Sequence, residues 1–200
     1  MRTGLRVTAA ILAAALAISG CDKLLGPAKS PFNGIDVTGG PIGGELRLTG
    51  HDGRPRSLAD FRGKVVVVAF GFTHCPDVCP TTLADLASAM KQLGSDARSV
   101  QVLFVTVDPK RDTPELLAQY VPAFHPDFIG LHGDAAATSR VTKDFHVYAH
   151  ERPGKGGEGY TVDHSAQSFV LDREGRVRLL IPPGTPPAAI ASDLRILLQS

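Results

Sequence analysis

Cysteine is scarce in this chain of 200 residues, which carries three: Cys21, Cys75 and Cys79. Methionine is scarcer still. Met1 and Met90 are the two present, and Met90 falls on an apolar helical stripe, which argues against metal scavenging through thioether clusters. Charge of one sign is not in excess: 21 basic and 20 acidic residues leave a formal net charge of +1. There is no dense Lys/Arg run either, so nothing points to a nucleic-acid partner. No internal repeat is visible. The longest N-terminal apolar stretch, Val7 to Ile18, has 12 residues interrupted only by Thr8, short of the ~20 that span a bilayer as a helix. What remains is ordinary globular composition, 43% hydrophobic and 20% charged, with enough chain for one domain and a sizeable core.

The N-terminus reads as a targeting segment. Arg2 and Arg6 form a basic start, Val7–Ile18 an apolar core, and Ile18-Ser19-Gly20-Cys21 resembles a bacterial lipobox. On this reading residues 1–20 are a lipoprotein signal peptide, residues 21–40 a lipid-attached linker beginning at lipidated Cys21, and residues 41–200 the folded domain. The alternatives are an ordinary secretory peptide with an incidental cysteine, or an uncleaved anchor. By resemblance to enterobacterial lipoproteins, Asp22 after the cysteine implies retention at the periplasmic face of the inner (cytoplasmic) membrane. Lipidation consumes Cys21 and leaves Cys75 and Cys79 as a pair in an oxidising compartment. A purely structural staple is the weaker use of so small a loop, because closing it removes little chain entropy.

That pair sits in the stretch that organises the chain. Val65-Val66-Val67-Val68-Ala69-Phe70 is a continuous apolar, β-branched run, as expected of a strand buried on both faces of a parallel sheet. It breaks at Gly71-Phe72-Thr73-His74 and is followed by Cys75, Cys79 and Pro80. Proline suits the first helical position, so the sequence predicts Cys79 at the N-cap of a helix and Cys75 on the loop before it. The helix dipole there favours thiolate. Taken alone, the two cysteines fit a thioredoxin-like redox pair and a metal site equally well.

Around this centre the chain reads in order. Residues 22 to about 38 are a Gly/Pro-containing tether. Leu46-Arg47-Leu48 runs into the Asp52-Gly53 turn of a hairpin. Leu83, Leu86, Ala87, Met90 and Leu93 recur at helical spacing before Gly94. Val100–Val107 is a second buried strand, and Thr113-Pro114 opens a helix with an N-cap and a first-turn proline. A short strand near Phe128–Leu131, a helix over 135–145, a Gly-rich excursion over 154–159, a hairpin about Asp172–Gly175 and a terminal helix from Thr185 complete the pattern. The fold class is α/β, with a mixed central sheet flanked by helices and the dithiol at the C-terminal end of a central strand.

Four segments match a known family in order: Leu58-Ala59-Asp60-Phe61-Arg62-Gly63-Lys64, Gly71 through Pro80, Asp108-Pro109-Lys110-Arg111-Asp112-Thr113-Pro114, and Tyr160-Thr161-Val162-Asp163-His164-Ser165. Together they resemble the Sco/SenC proteins, thioredoxin-fold copper-binding assembly factors of cytochrome c oxidase. The resemblance implies a thioredoxin-like fold with an N-terminal and an inserted hairpin. It also implies one copper ion held by Cys75, Cys79 and His164, the last lying 85 positions beyond Cys79 (164 − 79). The implied partner is the CuA centre of oxidase subunit II, with a periplasmic copper donor or a thioredoxin-like reductant upstream. Lys110 departs from the acidic residue that relatives often carry there, which bears on docking and not on the ligands. Soft thiolates and an imidazole suit copper, and also zinc.

Other residues have simpler readings. Asp163 is a candidate to orient the His164 ring. Asp108 and Asp112 read as capping and loop hydrogen-bond residues, and Asp108, at the end of the second buried strand, is also a candidate to shape the site without binding metal. His74 is left out of the ligand set, and His51, His125, His132, His146 and His150 are scattered without ligand spacing. The expected function is a membrane-tethered copper chaperone whose thiols also exchange electrons with the target's cysteines. The rival is a thiol-disulfide reductase acting through Cys75 and Cys79; a thiol peroxidase is a third reading.

Overall fold

Seven consecutive residues from Val65 to Gly71, all buried, form the strand about which the sheet is built. The protein is described by a computed structural model covering residues 30–154 and 159–200. Its compact unit runs from Phe32 to Ser200. The strands are β1 (Ile35–Asp36), β2 (Arg47–Gly50), β3 (Pro55–Ser57), β4 (Val65–Gly71), β5 (Val100–Thr106), β6 (Ile129–His132), β7 (Ala149–Pro153), β8 (Tyr160–His164), β9 (Ser168–Leu171) and β10 (Val177–Ile181). The α-helices are α1 (Val78–Leu93), α2 (Pro114–Tyr120), α3 (Ala135–Asp144) and α4 (Pro187–Gln199).

Eight strands make one mixed sheet in the order β1-β10-β9-β4-β5-β6-β2-β3, and β7 and β8 make a separate two-stranded sheet. β4 runs parallel to β5 in unbroken register from Val65↔Val100 to Gly71↔Thr106, and β5 runs parallel to β6. On its other side β4 meets β9 antiparallel. Strands covered on both faces need no polar alternation, which is why β4 and β5 read as continuous apolar runs. Helices flank the sheet: α1 packs against α4, α2 against β6 and α3 against β2. The core includes an aromatic trio, Phe70, Phe145 and Phe169, with ring centroids 5.3–5.7 Å apart, each pair adding about 0.5–1.5 kcal/mol beyond its buried area.

The expected caps at α2 and the turns are present. Thr113 Oγ1 accepts from Leu116 N, Gly94 ends α1 at φ 61°, and Gly53 and Gly175 take positive φ in the two hairpin turns.

Two boundaries differ from the sequence reading. α1 begins at Val78 with Asp77 as its N-cap, so Cys79 lies inside the first helical turn and not at the cap. Pro80 is accommodated there because first-turn N–H groups have no helical partner to lose. Within the stretch read as tether, residues 33–36 belong to the fold. Ile35 and Asp36 pair with Leu180 and Leu179. Just before them, the fully buried Asp193 carboxylate accepts hydrogen bonds from Asn33 N, Asn33 Nδ2 and Gly34 N. A two-residue strand has no periodicity to read, and its partner lies almost the whole domain away.

Candidate metal centre

β4 delivers the chain to the site. After Gly71 the backbone turns through buried Phe72, and Cys75 N donates to Phe72 O at 3.2 Å. The loop is fixed from below by Asp112, which is fully buried and accepts from Thr73 N (3.0 Å), Thr73 Oγ1 (2.6 Å) and Thr106 Oγ1 (2.6 Å). Three donors satisfy a carboxylate that would otherwise be costly to bury. Gly71 itself makes room for the thiol: a Cβ there would stand 2.7 Å from Cys79 Sγ and 2.8 Å from the Phe104 ring. Cys79 N in turn donates to Cys75 Sγ at 3.5 Å. Both cysteines are free and buried.

His164 arrives on a hairpin whose two strands the residue pattern alone does not mark. β7 and β8 pair antiparallel, with Ala149 opposite His164 and Pro153 opposite Tyr160. Every residue of β7 is exposed, so no apolar alternation marks it as a strand. Along β8 the two-residue period puts Tyr160, Val162 and His164 on one face, and Val162 is 5% exposed. Asp163 therefore points the other way and pairs with Arg152 at 2.7 Å. Asp163, a candidate to orient the imidazole, does not do so for this reason. The orienting group is the Ser165 carbonyl, 2.9 Å from His164 Nδ1. With Nδ1–H donating to it, Nε2 carries the lone pair, and it faces Cys79 Sγ at 3.4 Å. The Phe72 ring stands edge-on to the imidazole, with centroids 5.8 Å apart.

Cys75, Cys79 and His164 thus offer three donor atoms that all lie within 4.8 Å of one another. Bonds of ~2.0–2.3 Å to a shared ion call for donors roughly 3.5–4 Å apart, so little movement is needed. Among the described residues this is the group that could hold a metal ion. Two sulfurs and one nitrogen favour soft or borderline ions over magnesium or calcium. Cys75 and His164 line an open cleft of ≈ 450 Å³, with Tyr148 at its edge, while Cys79, 3% exposed, lies behind them.

One electrostatic expectation is overturned. Burial, then the Cys75 contact, pushes the Cys79 thiol well above its ordinary range. Desolvation outweighs the helix dipole, which favours the thiolate only where water or a cation shares the charge. A bound cation supplies that charge and displaces the proton.

The remaining sequence candidates fall elsewhere. His74 Nδ1 lies 3.0 Å from Thr73 Oγ1, is half exposed and is outside the trio. His51 Nδ1 accepts from Gly130 N at 2.9 Å and His146 Nε2 meets Pro41 O at 2.9 Å, both structural contacts. Asp108 accepts from the Tyr160 hydroxyl at 2.7 Å and from Arg111 Nε. Neither Asp108 nor Asp112 caps a helix; loop hydrogen bonding is the part of that reading that stands. Cys21 lies outside the described residues.

The sequence model of the SCO1/SenC family matches residues 36–199. The chain belongs to this family. Among curated relatives, the SCO2 homolog of bovine mitochondria is 43% identical over 134 residues, covering 66% of this chain and 50% of that protein. A SCO2-like protein of Rickettsia prowazekii is 38% identical, covering 68% of this chain and 66% of its own length. The chain therefore spans about half the length of the mammalian relatives it matches. The solved structure of Bradyrhizobium japonicum ScoI with copper bound is 39% identical. It superposes with a TM-score of 0.73 over 78% of this chain and 99% of that one. Apo Sco1 of Thermus thermophilus is 41% identical, with a TM-score of 0.75 over 86% of this chain and 99% of that one. The family fold is the thioredoxin-like arrangement expected from sequence, and all three residues expected to bind metal converge in it.

Proposed function

We propose that this chain is a copper-binding assembly factor of cytochrome c oxidase that carries one copper ion on Cys75, Cys79 and His164. The observation that carries the reading is the convergence of those three donors within 4.8 Å, in a chain 39% identical to a ScoI protein whose structure has copper bound. Copper is cargo here, not a resident cofactor. Two thiolates and one imidazole form a soft set that leaves a coordination position free on the cleft side, where an acceptor's ligands can enter before the donor's leave. The acceptor is the CuA centre of oxidase subunit II. Copper reaches the site from a periplasmic donor, and a thioredoxin-like reductant keeps both thiols reduced. Lipidation at Cys21 tethers the protein to the periplasmic face of the inner membrane.

Metal analysis of the reduced protein after loading with Cu(I) tests the assignment. One equivalent is expected in the wild type, and none survives dialysis in the Cys75→Ser, Cys79→Ser double variant; equal retention by both would refute it. A thiol-disulfide reductase is the second reading, favoured by Cys75 lying on the wall of an open cleft. His164→Ala separates the two, because it removes the imidazole ligand and leaves both thiols. Oxidase assembly that survives this substitution at ordinary copper supply would decide for the reductase. Acquisition of the lipid is tested by mass spectrometry of the membrane fraction from wild type and Cys21→Ala.

A further inference from the structure

The two halves of the site differ in how they are held. The thiols stand on β4 and α1, inside the core. The imidazole stands on a two-stranded hairpin whose outer strand is wholly exposed, and an isolated pair of strands is marginal in water. Something must hold β8 against the body at the height that brings His164 Nε2 to 3.4 Å from Cys79 Sγ.

The fastening lies at the far end of the same strand. Arg111 Nη1 donates to Tyr160 O at 2.8 Å, and the guanidinium carbon lies 3.8 Å from the centroid of the Tyr160 ring. Arg111 Nε donates to Asp108 Oδ2, and the Tyr160 hydroxyl donates to Asp108 Oδ1 at 2.7 Å. The Asp108 side chain is 1% exposed and that of Arg111 25%, so this ring of bonds is charge-assisted and poorly screened by water. Partial burial, then the Asp108 carboxylate, carries the Tyr160 hydroxyl up to about 12; it remains a donor at any physiological pH. The neighbouring Lys110–Glu151 pair also reaches the hairpin, at 2.6 Å, but its side chains are 63% and 48% exposed. Such pairs contribute ~0–1 kcal/mol.

We infer that Asp108, Arg111 and Tyr160 position the His164 imidazole: they clasp the first residue of β8 to the body and so set where its last residue stands. Tyr160 and His164 share a face of the strand, four residues or roughly 13 Å apart, with buried Val162 as the fulcrum between them. The loop over residues 108–112 therefore serves both halves of the site without touching the ion. Asp112 holds the cysteine loop through Thr73, and Asp108 with Arg111 holds the histidine hairpin. This inference rests on the proposed ion site at Cys75, Cys79 and His164.

The test uses the full chain in four forms: wild type, Arg111→Ala, Tyr160→Phe and Lys110→Ala. Three readouts are taken: Cu(I) affinity by competition with a chromogenic chelator, nitrogen hyperfine coupling in the electron paramagnetic resonance of the Cu(II)-loaded protein, and amide hydrogen exchange without metal. Loss of the clasp is expected to weaken copper binding ~10–100-fold in Arg111→Ala, the range for residues that orient a ligand, with a smaller loss in Tyr160→Phe. Nitrogen coupling should fall in both while the thiolate-to-copper absorption persists. Exchange should quicken in β8 and not in β4 or β5. Lys110→Ala should match wild type within about twofold, as an exposed pair does. Wild-type affinity and nitrogen coupling in Arg111→Ala would overturn the inference while leaving the copper site standing. If Arg111→Ala also loosens β4 and β5, Tyr160→Phe decides: unchanged coupling and unchanged β8 exchange there overturn the inference. A wild type that binds no copper would sink the proposed function separately, and β8 exchange in the metal-free variants would then decide the clasp alone.

Discussion

Gly71→Ala is the most direct probe of how the scaffold shapes the site. The added methyl would sit 2.7 Å from Cys79 Sγ and 2.8 and 3.0 Å from two atoms of the Phe104 ring, about 1 Å inside ordinary van der Waals separation at each contact. Neither neighbour can yield freely, since Cys79 is 3% and Phe104 1% exposed. Overpacking of this kind costs ~1–3 kcal/mol, and replacing a strand glycine returns ~0.5–1 kcal/mol of that. The net is a loss of up to about 2.5 kcal/mol, or a Tm lowered by up to roughly 10 °C for a domain of this size. Metal binding should suffer more, because the sulfur moves off the position it shares with His164; a drop of ~10–100-fold is expected. Differential scanning calorimetry and chelator competition measure the two effects. Adding Phe104→Leu relieves the ring clash and not the sulfur clash, so it should restore part of the Tm and little of the affinity. Wild-type affinity in Gly71→Ala would show that the thiol does not depend on this gap.

Further outcomes follow from other buried groups. Folding holds the Cys79 proton more tightly than the unfolded chain, whose thiol titrates near 9.0. Above that pH the unfolded state binds fewer protons, so metal-free stability is full below about 9 and declines as pH rises. Tyr160, raised to about 12 from 10.0, deepens the decline between those values. Urea midpoints at pH 7.5, 9 and 10.5 check this; a flat profile would contradict it, and metal loading should remove the cysteine contribution. Asp193→Ala strips the shared acceptor from Asn33 and Gly34, for which ~2–4 kcal/mol of stability should be lost, with faster proteolysis near residues 33–36. Asp112→Asn cannot accept from Thr73 N, Thr73 Oγ1 and Thr106 Oγ1 with a full charge. It should destabilise by ~1.5–3 kcal/mol and broaden the nuclear magnetic resonance signals of residues 73–75 with β6 unaffected.

Much of the fold was legible because local and tertiary demands agree. The run Val65–Phe70 could only be a covered strand, and the stripe Leu83, Leu86, Met90, Leu93 turned out to be the buried face of α1. The β7–β8 hairpin was illegible because Ala149–Pro153 is exposed throughout; its attachment comes from Arg111, 49 positions from Tyr160. His164 was reached by resemblance, not by pattern, since nothing near it in sequence marks a ligand. Asp163 was a minority candidate to orient the ring because a sequence neighbour often points elsewhere, and the strand period turns it away, to Arg152. The thiolate expectation for Cys79 failed because a helix terminus is a local feature and desolvation is a tertiary one. Asp108 and Asp112 read as capping and loop hydrogen-bond residues, with Asp108 also a candidate to shape the site, but their partners Tyr160 and Thr73, 52 and 39 positions away, are not legible from the sequence.

The unequal placement of the two sulfurs sets an order of events for any encounter with a foreign disulfide. Cys75 lies on the cleft wall, while Cys79 borders a small internal space shared with Phe70, Leu83 and Phe104. A target approaching through the cleft meets Cys75 first, whose thiolate can attack one target sulfur and release the other. Cys79, four positions on and inside the first turn of α1, would then be the resolving thiol, expelling the target and closing the ring with Cys75. Trapping with Cys79→Ser should accumulate the covalent adduct, and Cys75→Ser should not.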